Sequence, residues 1–254
     1  MEQIVTYRNG VFQPEEVVLP SEYPLKLTVN GREIATLVAS PHDLRFLVAG
    51  FLRLQGFAER IDDFLALSVC QDFGAASVTL RGEIPERLQT VLTSGCGAGI
   101  SFSIPRAPES AGSGRLESGN TFPPAGIFAV MDELAKKAEN YRLHGGIHSA
   151  ALAEGESIIL YAEDIGRHNT VDRLAGEALF RGIDPAGKIL VTSGRISSEM
   201  AAKAAFLGIP LVASRTSPTD MALKICREAG ITLVGYVRGG RFSIYSHPER
   251  IAAE

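Results

Sequence analysis

The sequence has few cysteines. Cys70, Cys96 and Cys226 are three in 254 residues. The odd number and the absence of framework spacing exclude a disulfide-stapled scaffold and suit free thiols in a reducing compartment. No apolar run approaches the roughly 18 residues of a membrane helix, so no membrane partner is expected. Met1-Glu2-Gln3 opens without a basic start and apolar stretch, so no secretory leader is expected and the cytoplasm is the expected location. A basic excess is also missing: Lys and Arg number 25 against 29 Asp and Glu, for a formal net charge of -4. With no basic stripe, nucleic acid is not expected as a partner. There is no G-x-x-x-x-G-K-[ST] phosphate loop and no G-x-S-x-G elbow. A zinc deaminase needs H-x-E and P-C-x-x-C. Here Ala150 follows His148-Ser149 where the acid belongs, and no P-C-x-x-C exists. His144 and His148 flank Gly145-Gly146, but two histidines four apart more commonly serve another role, and no metal site is expected.

What is present reads as an α/β protein with an α+β amino-terminal part. Leu25, Leu27 and Val29 alternate up to Asn30-Gly31, and Ile34, Thr36 and Val38 alternate after it, which predicts a hairpin. Ser40-Pro41-His42-Asp43 predicts a helix start with serine as cap. Leu44, Leu47, Val48 and Phe51 form that helix's apolar face. Strands are predicted near Leu65–Cys70 and Ser77–Leu80. Residues 93–120 are rich in Gly, Ser and Pro and predict a mobile loop at a domain boundary. After it, Ile127, Val130, Met131, Leu134 and Ala138 mark an amphipathic helix. Strands are predicted at Ile147–Ala153, Ser157–Glu163, Ile189–Val191, Leu211–Ala213 and Ile231–Val237. Between them, helices are expected to stop at Gly182, Gly208 and Gly230. The pattern predicts a mostly parallel sheet covered by helices on both faces. The expected domains are 1–92, the loop 93–120 carrying Cys96, and 121–254.

In open α/β sheets, ligands bind beyond the carboxyl ends of the strands. Those ends carry Glu163-Asp164-Ile165-Gly166-Arg167-His168-Asn169, Thr192-Ser193-Gly194-Arg195 and Ser214-Arg215-Thr216-Ser217. Each precedes a helix start, whose free N–H groups favour anions. Three arginines on one rim suit phosphate oxygens. The same serines and aspartates also serve as helix caps, so a structural role stands beside the ligand role. Cys70 and Cys226 sit in apolar strand and helix patterns and are expected to be inert. Cys96 has glycine on both sides. A thiol of ordinary pKa, about 8.5, is only slightly ionised at neutral pH. Backbone N–H groups or an arginine would raise that fraction and let the sulfur accept and pass on sulfane sulfur. A turn cysteine without a role fits the same residues.

Three runs carry a resemblance. They are Gly145-Gly146-Ile147-His148-Ser149-Ala150-Ala151, Glu163 to Asp172 (E-D-I-G-R-H-N-T-V-D), and Ser193-Gly194-Arg195-Ile196-Ser197-Ser198-Glu199-Met200. Leu233 to Arg238 and Tyr245 to Arg250 also fit. Over nearly its whole length the chain resembles the FdhD family of sulfur-carrier proteins required for active formate dehydrogenase. The resemblance implies a persulfide on Cys96, loaded by a cysteine desulfurase. It implies transfer of that sulfur to the molybdenum (or tungsten) bis-guanine-dinucleotide cofactor, before the cofactor enters formate dehydrogenase. It implies a carboxyl part with the cytidine deaminase fold lacking the zinc site, and a homodimer. The cofactor-contacting segment maps onto Tyr236, Val237, Arg238, Gly239, Gly240 and Arg241, and the rim residues Arg167, His168, Ser193 and Arg195 suit the phosphates of a guanine nucleotide. The family loop often reads C-G-x-C, whereas Gly99 stands at the second cysteine position here. One cysteine must therefore carry the sulfur. A non-catalytic chaperone that only binds the guanine dinucleotide is the alternative, and an orphan hydrolase on the same sheet edge is a third reading.

Overall fold

The computed structural model describes residues 1–82, 91–93, 99–101 and 121–252. Cys96, with most of the predicted 93–120 loop, lies outside the described residues. Strands β1 (Glu2–Arg8) and β2 (Val11–Val17) form an antiparallel hairpin that the sequence reading omits. Strands β3 (Tyr23–Val29) and β4 (Arg32–Ala39) pair across Asn30-Gly31, both at positive φ, as the Asn-Gly signal predicts. Helix α1 (Leu44–Leu54), β5 (Phe64–Cys70) and β6 (Ala75–Leu80) follow. The sheet order is β4-β3-β6-β5, with β3 and β6 parallel. Leu25, Leu27 and Leu37 of the sheet pack on Leu47, Val48 and Phe51 of α1. β7 (Val91–Thr93) and β8 (Gly99–Ser101) form a short antiparallel pair.

The start of α1 differs from expectation. Its N-cap is Asp43, held at φ 44, and Ser40 does not cap. Ser40 is spent elsewhere: its N–H donates to Asp164 and its Oγ accepts from the Ile165 N–H.

The carboxyl part begins with α2 (Pro124–Lys137) and a six-residue helix α3 (Glu139–His144). Then come β9 (His148–Glu154), β10 (Ser157–Asp164), α4 (Arg167–Arg181), β11 (Ile189–Thr192), α5 (Ser198–Phe206), β12 (Leu211–Ser214), α6 (Asp220–Ala229), β13 (Thr232–Arg238) and β14 (Arg241–Ser246). The six strands lie in the order β10-β9-β11-β12-β13-β14. The expectation of a mostly parallel sheet needs correction. β11, β12 and β13 run parallel, but β9, β10 and β14 pair antiparallel. The cause is local: Gly155 at φ +61 and Gly239-Gly240 at φ +57 and +72 turn the chain straight back, where a parallel neighbour would need a crossover.

Helices cover both faces, as expected. On one face α2 buries Ile127, Val130 and Leu134 against Ala151, Val191 and Val234. On the other, Val171, Leu174, Met200 and Ala204 bury against Leu152, Leu190, Val212 and Leu233. Each of the buried Val, Leu, Ile and Met side chains contributes roughly 1.5–3 kcal/mol relative to exposure. Ser197 and Thr219 cap α5 and α6 by accepting from Met200 and Ala222 N–H groups. Gly182 and Gly230, at φ +64 and +74, end α4 and α6. Among the described residues no helix is long and apolar enough to cross a membrane.

The two sheets are joined by α1 crossing α4 at backbone contact. A Cβ on Gly50 would lie 1.7 Å from the Asp172 carbonyl oxygen, and one on Gly176 would lie 1.9 Å from that of Phe46. Beside the crossing, Asp164 is fully buried. Its Oδ2 accepts from Arg173 Nε at 2.9 Å and Nη2 at 2.7 Å, and its Oδ1 from Gly166 N and Asn169 Nδ2. Arg173 donates onward to the carbonyls of Ser40 and His42, and Asn169 to that of Val38. A buried carboxylate with so many charge-assisted donors is satisfied in place.

Candidate functional site

A crevice of about 750 Å³ opens at the carboxyl edge of the large sheet. Its floor comes from the start of β9 (His148, Ser149) and the residues just past β11 and β12 (Ser193, Arg215, Thr216). Arg238 at the end of β13 adds to the rim. The opposite wall is α2 and α3, with Leu134, Ala135, Ala138, Tyr141 and Arg142, continued by Gly145, Gly146 and Ile147. One side is thus cationic and polar, and the other is mostly apolar. That division suits an amphipathic ligand with an anion at one end.

The floor is tied down by hydroxyls. Ser149 and Ser193 exchange two bonds: the Ser193 N–H donates to Ser149 O, and Ser193 Oγ accepts from the Ser149 N–H, both at 2.9 Å. Thr192 Oγ1 donates to Ser149 O and accepts from the Gly194 N–H. Ser214 Oγ donates to Gly194 O at 2.7 Å. The serine-rich strand ends therefore serve structure first and leave Ser193 facing the crevice. Gly194 packs closely here: a Cβ would lie 3.0 Å from the Arg167 Cβ and 3.3 Å from His148 Nδ1, so a side chain would press both.

The predicted site residues separate into groups. Ser193 and Arg238 line the crevice, and so does Arg215 of the arginine rim. Arg167 is buried behind Gly194, and Arg195 is exposed and does not line the crevice. Tyr236 is partly exposed, with the Arg238 guanidinium 5.5 Å from its ring centroid. Val237 is buried in the core, Gly239 and Gly240 form the exposed β13–β14 turn, and Arg241 opens β14, also exposed. Tyr236 holds a left-handed φ of 56 within the irregular stretch of β13, its N–H donating to Thr216 O. Such a conformation costs on the order of 1–3 kcal/mol and persists where the surroundings enforce it. Arg238, two residues further on, lines the crevice. The sequence reading missed Tyr141, Arg142 and the α2 wall, since nothing local in a helix marks which end faces a ligand.

His168 belongs to a different cluster. Its Nδ1 lies 3.1 Å from Glu199 Oε2, and Lys203, itself fully buried, bridges Glu199 at 3.0 Å and Asp172 at 2.8 Å. Burial, reinforced by the Lys203 charge, pushes the His168 pKa down to about 3 against the pull of Glu199. Burial pushes Asp172 up to about 6 although Lys203 pulls it down. Burial lowers Lys203, but Asp172 and Glu199 outweigh it and hold the ammonium charged. His148 is also lowered, by burial and then by Arg167, so the crevice presents a neutral imidazole. Among the described residues no group of three His, Cys, Asp or Glu is placed to hold a metal ion. Ala150 is a fully buried core residue of β9. Cys226 is fully buried and its thiol is pushed up to about 12 by burial, whereas Cys70 is only half-buried.

Fold and crevice together define an α/β protein with a cation-rimmed crevice at its sheet edge. The chain belongs to the FdhD/NarQ family, whose sequence profile matches residues 20–252. It is 36% identical over 252 residues to the sulfur carrier protein FdhD of Staphylococcus aureus strain MRSA252, covering 98% of this chain and 94% of that protein. The same figures hold for the protein of that name from strain JH9. It is also similar to the crystal structure of a protein described as a formate dehydrogenase accessory protein from Desulfotalea psychrophila. The TM-score is 0.77 at 29% identity, over 99% of this chain and 98% of that one.

Proposed function

We propose that this chain is a sulfur carrier for formate dehydrogenase, working through a persulfide on Cys96. Membership of nearly the whole chain in a family whose curated relatives are named sulfur carrier proteins carries the reading. In the loading step the Cys96 thiolate attacks the terminal sulfur of a cysteine desulfurase persulfide. The donor's S–S bond breaks, the donor leaves as a thiolate, and Cys96 keeps the sulfur, so no outside oxidant is needed. The acceptor is the molybdenum (or tungsten) bis-guanine-dinucleotide cofactor, held as cargo. The crevice supports that choice: Arg215, Arg238 and Ser193 suit its phosphates, and the α2–α3 wall suits its planar groups. In this reading the carboxyl domain, 121–254, is a cytidine deaminase-like scaffold without zinc, paired with an amino-terminal domain, 1–92. The protein acts in the cytoplasm as a homodimer.

The test is direct. Incubation with a cysteine desulfurase and cysteine adds roughly 32 Da to Cys96, a persulfide, and Cys96→Ala abolishes both the addition and formate dehydrogenase activity in complemented cells. Full activity with Cys96→Ala would instead establish the chaperone that only binds cofactor.

A further inference from the structure

We propose that Tyr141 is the residue that receives the planar part of the ligand, and that α3 delivers it as a lid. The inference rests on the reading that the crevice binds a guanine nucleotide, and it adds the contact that receives the base.

Helix α3 is a separate piece of the crevice wall. The chain breaks from α2 at Ala138, with ψ 66, and leaves α3 through Gly145 at φ +71 followed by Gly146. None of its six residues is buried. Tyr141 is 48% exposed and Leu143 is 70% exposed, although both are large and apolar. With none of its residues buried, α3 has little apolar packing to hold it in place. The tethers of α3 are polar and exchangeable instead. Asn140 Nδ2 donates to Glu163 Oε2 at 2.8 Å, and Arg142 Nη1 donates to the carbonyls of Ala135 and Lys136 at the end of α2. Short elements held by few buried contacts are the ones that open locally.

The chemistry around Tyr141 points to a flat apolar partner. Tyr141 lines the crevice beside Leu134, Ala135, Ala138 and Ile147, opposite Arg215 and Arg238. An anion gripped by those arginines leaves the rest of a nucleotide facing Tyr141. A base stacked on the ring would cover exposed aromatic surface, and any base has a face to offer. Glu163 acts as the latch: it takes Asn140 on Oε2 while Ser149 of the floor donates to its Oε1 at 3.4 Å. Movement of the floor and movement of the lid therefore meet at one carboxylate.

The chain contains no tryptophan, so Tyr141→Trp places a single reporter on the lid of the full-length protein. Guanosine diphosphate should quench and shift its emission, with a midpoint matching calorimetry on the unmodified chain. Inorganic pyrophosphate should leave it unchanged. Tyr141→Ala should weaken guanosine diphosphate about tenfold and leave pyrophosphate unaffected, while Tyr141→Phe stays within about twofold. Asn140→Ala should speed hydrogen exchange across residues 139–145 without ligand. Retained nucleotide heat with a silent Trp and full affinity in Tyr141→Ala would overturn the inference alone. An equal response to pyrophosphate would also overturn it, by assigning the movement to the anion. If guanosine diphosphate gives no heat with the unmodified chain, the nucleotide reading fails and takes this inference with it.

Discussion

An imidazole enclosed beside an ammonium has to stay neutral, and His168 shows the consequence. Its folded pKa, about 3, lies below the ordinary 6.5. The stability it contributes is complete above about pH 6.5 and is lost as pH falls toward 3, because the unfolded chain takes up the proton first. Asp172, raised to about 6, works in the opposite sense between roughly pH 4 and 6. His168→Gln isolates the first effect. From about pH 7 to 5.5, urea titrations should show the unmodified chain losing about 1 kcal/mol more than the variant. A second prediction concerns the rim. Arg215→Ala and Arg238→Ala should each weaken guanosine diphosphate about tenfold, while Arg195→Ala stays within about twofold, by calorimetry. At this scale the sequence was partly legible. Strand ends before helix starts located Ser193 and Arg215 without a structure. They did not separate Arg215, which faces the crevice, from Arg195, which faces solvent, because side-chain direction at a strand end is set by the neighbouring strand.

Elements were more legible where their ends carry chemistry. Thr219 and Ser197 cap as the residue types suggest, and Gly182 and Gly230 stop helices in the left-handed conformation. The first hairpin had the same Asn-Gly signal at Asn9-Gly10, both at positive φ. It was missed because β1 and β2 bury almost nothing and so show no apolar alternation. Strand direction was not legible either, since an apolar run reads alike in parallel and antiparallel neighbours. The backbone contact of α1 with α4 has only two glycines as its sequence sign. Gly176→Ala should therefore destabilise by about 3 kcal/mol or more, measured by urea denaturation, because the added methyl meets the Phe46 carbonyl and not a side chain that can yield.

For the molecule as a whole, the run from Glu163 to Arg173 has two duties. Asp164, Asn169 and Arg173 fasten the amino-terminal sheet to the carboxyl one, while Ile165 reaches the crevice. Arg173→Met leaves the Asp164 carboxylate buried without its cation and should cost about 3–5 kcal/mol. Differential scanning calorimetry should then resolve two transitions in place of one, as the sheets lose their shared fastening. The crossing of α1 on α4 also bears on synthesis. The ribosome completes α1 at Leu54, and Arg167, the start of α4, lies more than a hundred residues later. At roughly 5–20 residues per second, the glycine-marked back of α1 waits on the order of 5–20 seconds for its cover. During that interval the nascent chain presents an uncovered helix surface.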